Sequence, residues 1–172
     1  ETKEEATKAF EKGYEHYLKT ASSSKAAAGL TPKTPVGKPI WESLCVDAAC
    51  SGNPGNMEYR GVYPPTMQEI FRIGPLKKGT NNIGEFLALV HGLALLKQKG
   101  SSLPIYSDSR NAIGWVKKKK CKTLLERVPE NEPIFDMIER AEKWLKTNTY
   151  TTPILKWETS EWGEIPADFG RK

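Results

Sequence analysis

The chain has 172 residues, 38% of them hydrophobic and 27% charged, a globular balance with room for one full-sized domain and a short appendage. No apolar run approaches the roughly 20 residues needed to cross a bilayer, and the charged N-terminus lacks the hydrophobic core of a signal peptide, which argues against a membrane-embedded class. The net charge of +5 leans mildly towards an anionic partner.

Residues 1–19 read as a short helix: Thr2 and Glu5 fit a capping box, and Ala6, Phe10, Gly13 and Tyr17 recur on one face. Residues 20–39 read as a linker, small and polar at first, then stiffened by Pro32, Pro35 and Pro39. The chain opens on Glu1 rather than Met, as a fragment or a processed product would. A folded domain is expected over 40–172. Strands are predicted at 40–48, 57–63 and 67–74, with turns at 52–55 and 64–65. A long, broadly apolar helix follows over 82–99, then a short buried strand at 105–107 and a helix through Ala112, Trp115 and Val116. A further helix spans 132–146, and a last strand 154–158. Three strands followed by alternating helix and strand imply an α/β fold, a mixed five-stranded sheet with helices on both faces.

Cys45, Cys50 and Cys121 are an odd number, against a disulfide framework. Cys45 and Cys50 would lie about 16 Å apart at strand rise, beyond the roughly 7 Å between Cα atoms that a disulfide tolerates. None has the paired spacing of a zinc site, so free thiols in a reducing cytoplasm are expected.

Three acids stand out by their isolation. Asp47 is the only formally charged residue between Glu42 and Glu58, Glu85 the only one between Lys78 and Lys97, and Asp108 the only one between Lys99 and Arg110. A carboxylate at the end of a buried strand costs several kcal/mol in desolvation unless something positive meets it. Either a distant Lys or Arg folds in, or a metal ion binds. Three acids with the same anomaly, on three predicted elements, point to one shared site, since each would otherwise need its own buried partner. Oxygen ligands from separate elements suit a hard divalent cation such as Mg²⁺.

Four pieces in order carry a likeness to a known family: Val46-Asp47 ahead of Ser51-Gly52-Asn53-Pro54-Gly55; Thr80-Asn81-Asn82 three residues before Glu85; Tyr106-Ser107-Asp108-Ser109; and the tail Trp162-Gly163-Glu164-Ile165-Pro166-Ala167-Asp168-Phe169-Gly170-Arg171-Lys172. From about Trp41 to the C-terminus the chain resembles the type 1 ribonuclease H family, in the subset without a basic helical handle or a loop histidine. The resemblance implies a ribonuclease H-like fold and an endonuclease that hydrolyses the RNA strand of RNA–DNA hybrids, leaving 5′-phosphate and 3′-hydroxyl ends. It implies Asp47, Glu85, Asp108 and Asp168 as metal-binding carboxylates for two Mg²⁺ ions, with Mn²⁺ as a substitute. Glu164 is either an extra acid that assists product departure or a plain surface glutamate; were the tail helical, it would share a face with Asp168. Asn53, Asn81 and Arg110 match positions where the family contacts the RNA strand, and Thr80, Asn82 and Thr123 match its phosphate pocket for the DNA strand. Residues 1–18 resemble the final helix of an N-terminal hybrid-binding domain. A monomer is expected.

The chain departs from the family in the loop 157–163, which has no histidine. Its two histidines, His16 and His91, fall inside predicted helices, and His91 reads as a packed or half-exposed helix residue rather than a catalyst. Arg110 stands where relatives often have glutamine or asparagine. Lys117, Lys118, Lys119, Lys120 and Lys122 either substitute for the missing handle or form a solvated helix end. Two other classes stay open: a hybrid-binding module that does not cleave, and another polynucleotidyl transferase of the same superfamily.

Overall fold

The computed structural model describes residues 37–170, so the expectations for 1–19 and for most of the linker lie outside the described residues. Within them, β1 (Leu44–Cys50), β2 (Gly55–Tyr63) and β3 (Gln68–Gly79) form an antiparallel meander. Helix α1 (Asn81–Gln98) leads to β4 (Ile105–Ser107), α2 (Arg110–Lys118), a 3₁₀ turn at Pro129–Asn131, α3 (Glu132–Thr147), β5 (Ile154–Lys156) and a one-turn helix α4 (Thr159–Trp162). The strand order is β3-β2-β1-β4-β5, with β4 parallel to both β1 and β5. This is the expected mixed five-stranded sheet.

Side-chain alternation along β1 divides the core. Leu44, Val46 and Ala48 face a large cluster that holds the buried sides of α1, α2 and α3. Cys45 faces a smaller cluster with Val62, Tyr106, Trp157, Ile165 and Ala167. The layers are therefore unequal: the long helices share one face, and the C-terminal segment with its single helical turn covers the other. Every residue of α1 from Ile83 to Val90 is buried, as expected of a helix enclosed by the sheet on one side and other helices on the other. At roughly 1.5–3 kcal/mol for each large apolar side chain taken out of water, this helix is the principal source of cohesion. Two glycines let it lie close. A Cβ at Gly92 would meet Ile105 Cδ1 at 2.5 Å, and one at Gly84 would meet Ala48 Cβ at 2.8 Å.

Several strand boundaries differ from the sequence pattern, three of them for evident reasons. β1 starts at Leu44 rather than 40, because the Ile40 amide is spent on the Tyr106 hydroxyl (2.8 Å) and Trp162 Nε1 donates to the Gly37 carbonyl (2.6 Å). The segment 37–41 is thus held by aromatic side chains instead of a ladder. β3 runs five residues beyond 74, through Pro75. It can do so because β3 is an edge strand, where a missing N–H costs no ladder bond on the solvent side. A bulge absorbs the kink: Tyr59 pairs with Ile73 while Met57 pairs with Leu76. β5 stops at Lys156, since the chain turns to bury Trp157 and to place its Nε1 against the Gly163 carbonyl (2.8 Å).

Candidate metal centre

Parallel pairing brings two of the acids level. Cys45 is opposite Tyr106 in the β1–β4 register. Two residues on, the same face of the sheet carries Asp47 and, just past the end of β4, Asp108. The turn at Asp108 is held locally: the Ser107 hydroxyl accepts from the Ser109 amide, and the Ser109 hydroxyl caps α2 by accepting from the Ala112 amide, both at 3.1 Å. These serines explain why a strand can end, present a carboxylate and start a helix within three residues.

Glu85 arrives from the third element. The Thr80 hydroxyl caps α1 by accepting from the Ile83 amide at 3.2 Å. That fixes the phase of the helix, so that Gly84 meets Ala48 and Glu85 lies beside β1. The result is one group: a carboxylate oxygen from each of Asp47, Glu85 and Asp108 lies within 4.8 Å of the others, with Asp47 and Glu85 buried. Three ionised carboxylates that close repel by about 3 kcal/mol per pair at an effective dielectric near 20. The donor set is all hard oxygen, without the thiolate or imidazole that softer metals favour. It fits Mg²⁺ or Mn²⁺.

Asp168 and Glu164 do not join that group. Gly163, at φ 81°, ends α4, and the Asp168 amide closes a turn onto the Ile165 carbonyl (2.8 Å) around Pro166. No helix spans 164–168, so the two acids share no helical face, and Glu164 is exposed. The Asp168 carboxylate accepts from the Gly170 amide at 2.9 Å. The backbone beside it is gripped by a residue the sequence reading overlooked. Arg60, the β2 partner of Asp47, donates to the carbonyls of Ala167 (2.8 Å) and Asp168 (2.6 Å) and pairs with Glu69 at 3.2 Å. Hairpin arithmetic was available: with the turn centred near Pro54, Asp47 falls opposite Arg60.

Four of the six expected substrate residues come together. Asn53, Thr80, Asn81 and Asn82, with Cys50 and Gly52, line a cavity of about 450 Å³. Asn81 is the first residue of α1, one position ahead of the predicted start at 82, and its amide lies 3.5 Å from Glu85 Oε2. Arg110 is the exposed first residue of α2. Thr123 stands apart from that cavity, its hydroxyl accepting from the Leu125 amide at 3.1 Å. The lysines 117–120 are exposed at the end of α2, where Lys119 takes a left-handed conformation (φ 59°).

His91 is packed, as expected. Its ring stacks on Phe71 with centroids 4.0 Å apart, and Nδ1 lies 3.0 Å from the Tyr59 hydroxyl. It lines a separate, mostly apolar cavity of about 360 Å³ between α1, α3 and the β2–β3 pair, whose lining includes none of the clustered acids. Burial pushes the Cys45 and Cys121 thiols up to about 12 and the Tyr59 hydroxyl up as well. All three cysteines are free. No helix among the described residues is long and apolar enough to cross a membrane.

The family model described as RNase H matches residues 42–156. A ribonuclease H of Rickettsia bellii is 31% identical over 137 residues, covering 73% of this chain and 83% of the relative. One from Rhodopirellula baltica is 41% identical over 75 residues, or 42% of this chain and 46% of the relative, so the match spans about half of that protein's length. Among solved structures, the N-terminal RNase H domain of rv2228c from Mycobacterium tuberculosis, fused to maltose binding protein, gives a TM-score of 0.42 at 14% identity, covering 69% of this chain and 88% of that one.

Proposed function

The chain belongs to the ribonuclease H family, and from that premise we propose that it is an endoribonuclease that hydrolyses the RNA strand of RNA–DNA hybrids, leaving 5′-phosphate and 3′-hydroxyl ends. The observation that carries the reading is the convergence of Asp47, Glu85 and Asp108, from β1, α1 and the end of β4, into one oxygen-rich group.

In this reading those three hold divalent metal, Mg²⁺ by preference, and Asp168 adds a fourth carboxylate from the tail. When bound, two such ions supply a water nucleophile at neutral pH and stabilise the leaving oxygen of an in-line displacement. The chain's own residues do the rest. Glu85 is held in place by the capped first turns of α1 and by the Asn81 amide. Burial of Asp47 and Glu85 keeps water from loosening the group. Asn53, Asn81 and Arg110 face the RNA strand, where amide groups can both donate to and accept from the 2′-hydroxyls that distinguish RNA from DNA across the wide minor groove. Thr80, Asn82 and Thr123 offer hydroxyl and amide donors to a phosphate of the DNA strand. The exposed lysines 117–120 add unspecific attraction to the duplex. With no histidine in the loop 157–163, product departure is assisted in this reading by Glu164. The free thiols suit a reducing cytoplasm, and a monomer suffices, since the clustered acids all come from one chain.

The test is a cleavage assay on RNA–DNA hybrid, double-stranded RNA and double-stranded DNA, each with Mg²⁺, with Mn²⁺ and with EDTA. Cleavage of the hybrid alone, abolished by the chelator, is expected. Binding without cleavage would mean a recognition module, and preference for DNA duplex would mean another polynucleotidyl transferase; either result overturns the proposal.

A further inference from the structure

Between Gly163 and Gly170 the C-terminal segment has neither helix nor strand, so no periodic hydrogen bonding fixes the stretch that carries Asp168. Ile165 and Ala167 anchor it in the smaller core cluster, and a set of side chains on β2 and β3 grips the residues beyond. Arg60 projects on the same face as its cross-strand partner Asp47 and donates from Nε to the Ala167 carbonyl (2.8 Å) and from Nη2 to the Asp168 carbonyl (2.6 Å). Its Nη1 is set by Glu69 Oε2 at 3.2 Å, and the same carboxylate oxygen accepts from Arg72 at 3.4 Å. Arg72 is anchored in turn on Glu58 at 3.1 Å. The Phe169 ring, the next residue along the tail, lies 4.9 Å from the Arg60 guanidinium carbon and 5.2 Å from that of Arg72, both in cation–π range.

We propose that Arg60 and Phe169 form a latch that fixes the backbone carrying Asp168 over the sheet face that bears Asp47, making Arg60 a positioning residue for the metal chemistry; this rests on the functional reading above. A planar fork with fixed donor directions meets two successive carbonyls and a carboxylate at once, which a lysine ammonium at the end of a flexible stem does not reproduce. The latch acts on the tail and not on the hybrid, so its loss lowers turnover and leaves substrate affinity alone.

The experiment compares wild type, Arg60→Lys, Arg60→Ala and Phe169→Leu, each alone and combined with Asp168→Asn. Its readouts are kcat and KM on hybrid and hydrogen exchange of the amides at 165–170. Expected for Arg60→Ala are a kcat at least tenfold lower with KM within twofold, faster tail exchange, and partial recovery in millimolar guanidinium; Arg60→Lys, which keeps a cation opposite Glu69 and protects the fold, falls in between. On the Asp168→Asn background the Arg60 and Phe169 substitutions change kcat by less than twofold. The latch is overturned if Arg60→Ala costs the same factor on both backgrounds, or if tail exchange does not change. If wild type fails to cleave hybrid, the functional reading fails instead, and exchange alone then decides whether the latch exists.

Discussion

Adding one methyl group at Gly84 perturbs the site without touching any acid. A Cβ there would stand 2.8 Å from Ala48 Cβ, 3.2 Å from Met57 Cγ and 3.6 Å from the Glu58 carbonyl oxygen. Carbon atoms rest at about 3.5–4.0 Å, so the first turn of α1 must retreat from β1 by roughly 0.7–1.2 Å at this point. Met57 can yield at its sulfur end, but Ala48 cannot, because its Cβ is fixed to the strand. Overpacking of this size costs about 1–3 kcal/mol, and the better helix propensity of alanine returns about 0.8–1 kcal/mol. Gly84→Ala is therefore expected to lose about 0–2 kcal/mol of stability and still fold. Activity suffers more, because Glu85 moves with the helix, and a displacement near 1 Å can cost on the order of 100-fold in rate. The assay pairs urea denaturation with hybrid cleavage across a Mg²⁺ titration, with Gly114→Ala as control: that helical glycine has open space around it and should gain up to about 1 kcal/mol with unchanged activity. Wild-type cleavage and metal dependence in Gly84→Ala would refute the claim that the seating of α1 sets the position of Glu85.

Asp47→Asn, Glu85→Gln and Asp108→Asn should each cut metal-dependent cleavage by at least about 100-fold while raising the melting temperature in EDTA, because each relieves like-charge repulsion worth about 3 kcal/mol per pair; unaltered melting in all three would contradict the close group. Burial raises the Cys45 and Cys121 thiols from 9.0 to about 12. The folded state thus holds these protons more tightly than the unfolded chain, and the stability involved is complete below pH 9 and lost as pH climbs from 9 towards 12. Each thiol contributes up to about 1.4 kcal/mol per pH unit in that window, so denaturation midpoints should fall between pH 9 and 11 and do so less steeply in Cys45→Ala; flat midpoints would count against it. Tyr106→Phe removes the acceptor of the Ile40 amide, and should cost about 0.5–1.5 kcal/mol and speed amide exchange at residue 40; unaffected exchange would mean that other contacts anchor that segment.

The charge-free windows around Asp47, Glu85 and Asp108 made the site legible, because burying an acid leaves a compositional gap that can be read along one chain. Helices α1 and α3 were legible to within one residue at each end, since periodicity and caps such as Thr80 are local, whereas the single turn of α4 is too short to show a period. Strand ends were less so. β1 yields its first residues to a hydrogen bond from Ile40 to Tyr106, 66 positions away, and β3 passes Pro75 through a bulge that only the pairing with β2 defines. The tail is illegible for the same reason: Glu164 and Asp168 would share a face only on a helix, and Gly163 and Pro166 put a turn there that Arg60 grips from another strand.

Anomalous diffraction from a crystal soaked in Mn²⁺ tests the central claim most directly. The account predicts a manganese peak bounded by carboxylate oxygens of Asp47, Glu85 and Asp108, lost in Asp47→Asn together with hybrid cleavage. A crystal with no manganese among those three acids, from protein that cleaves hybrid in the same Mn²⁺ buffer, would contradict it.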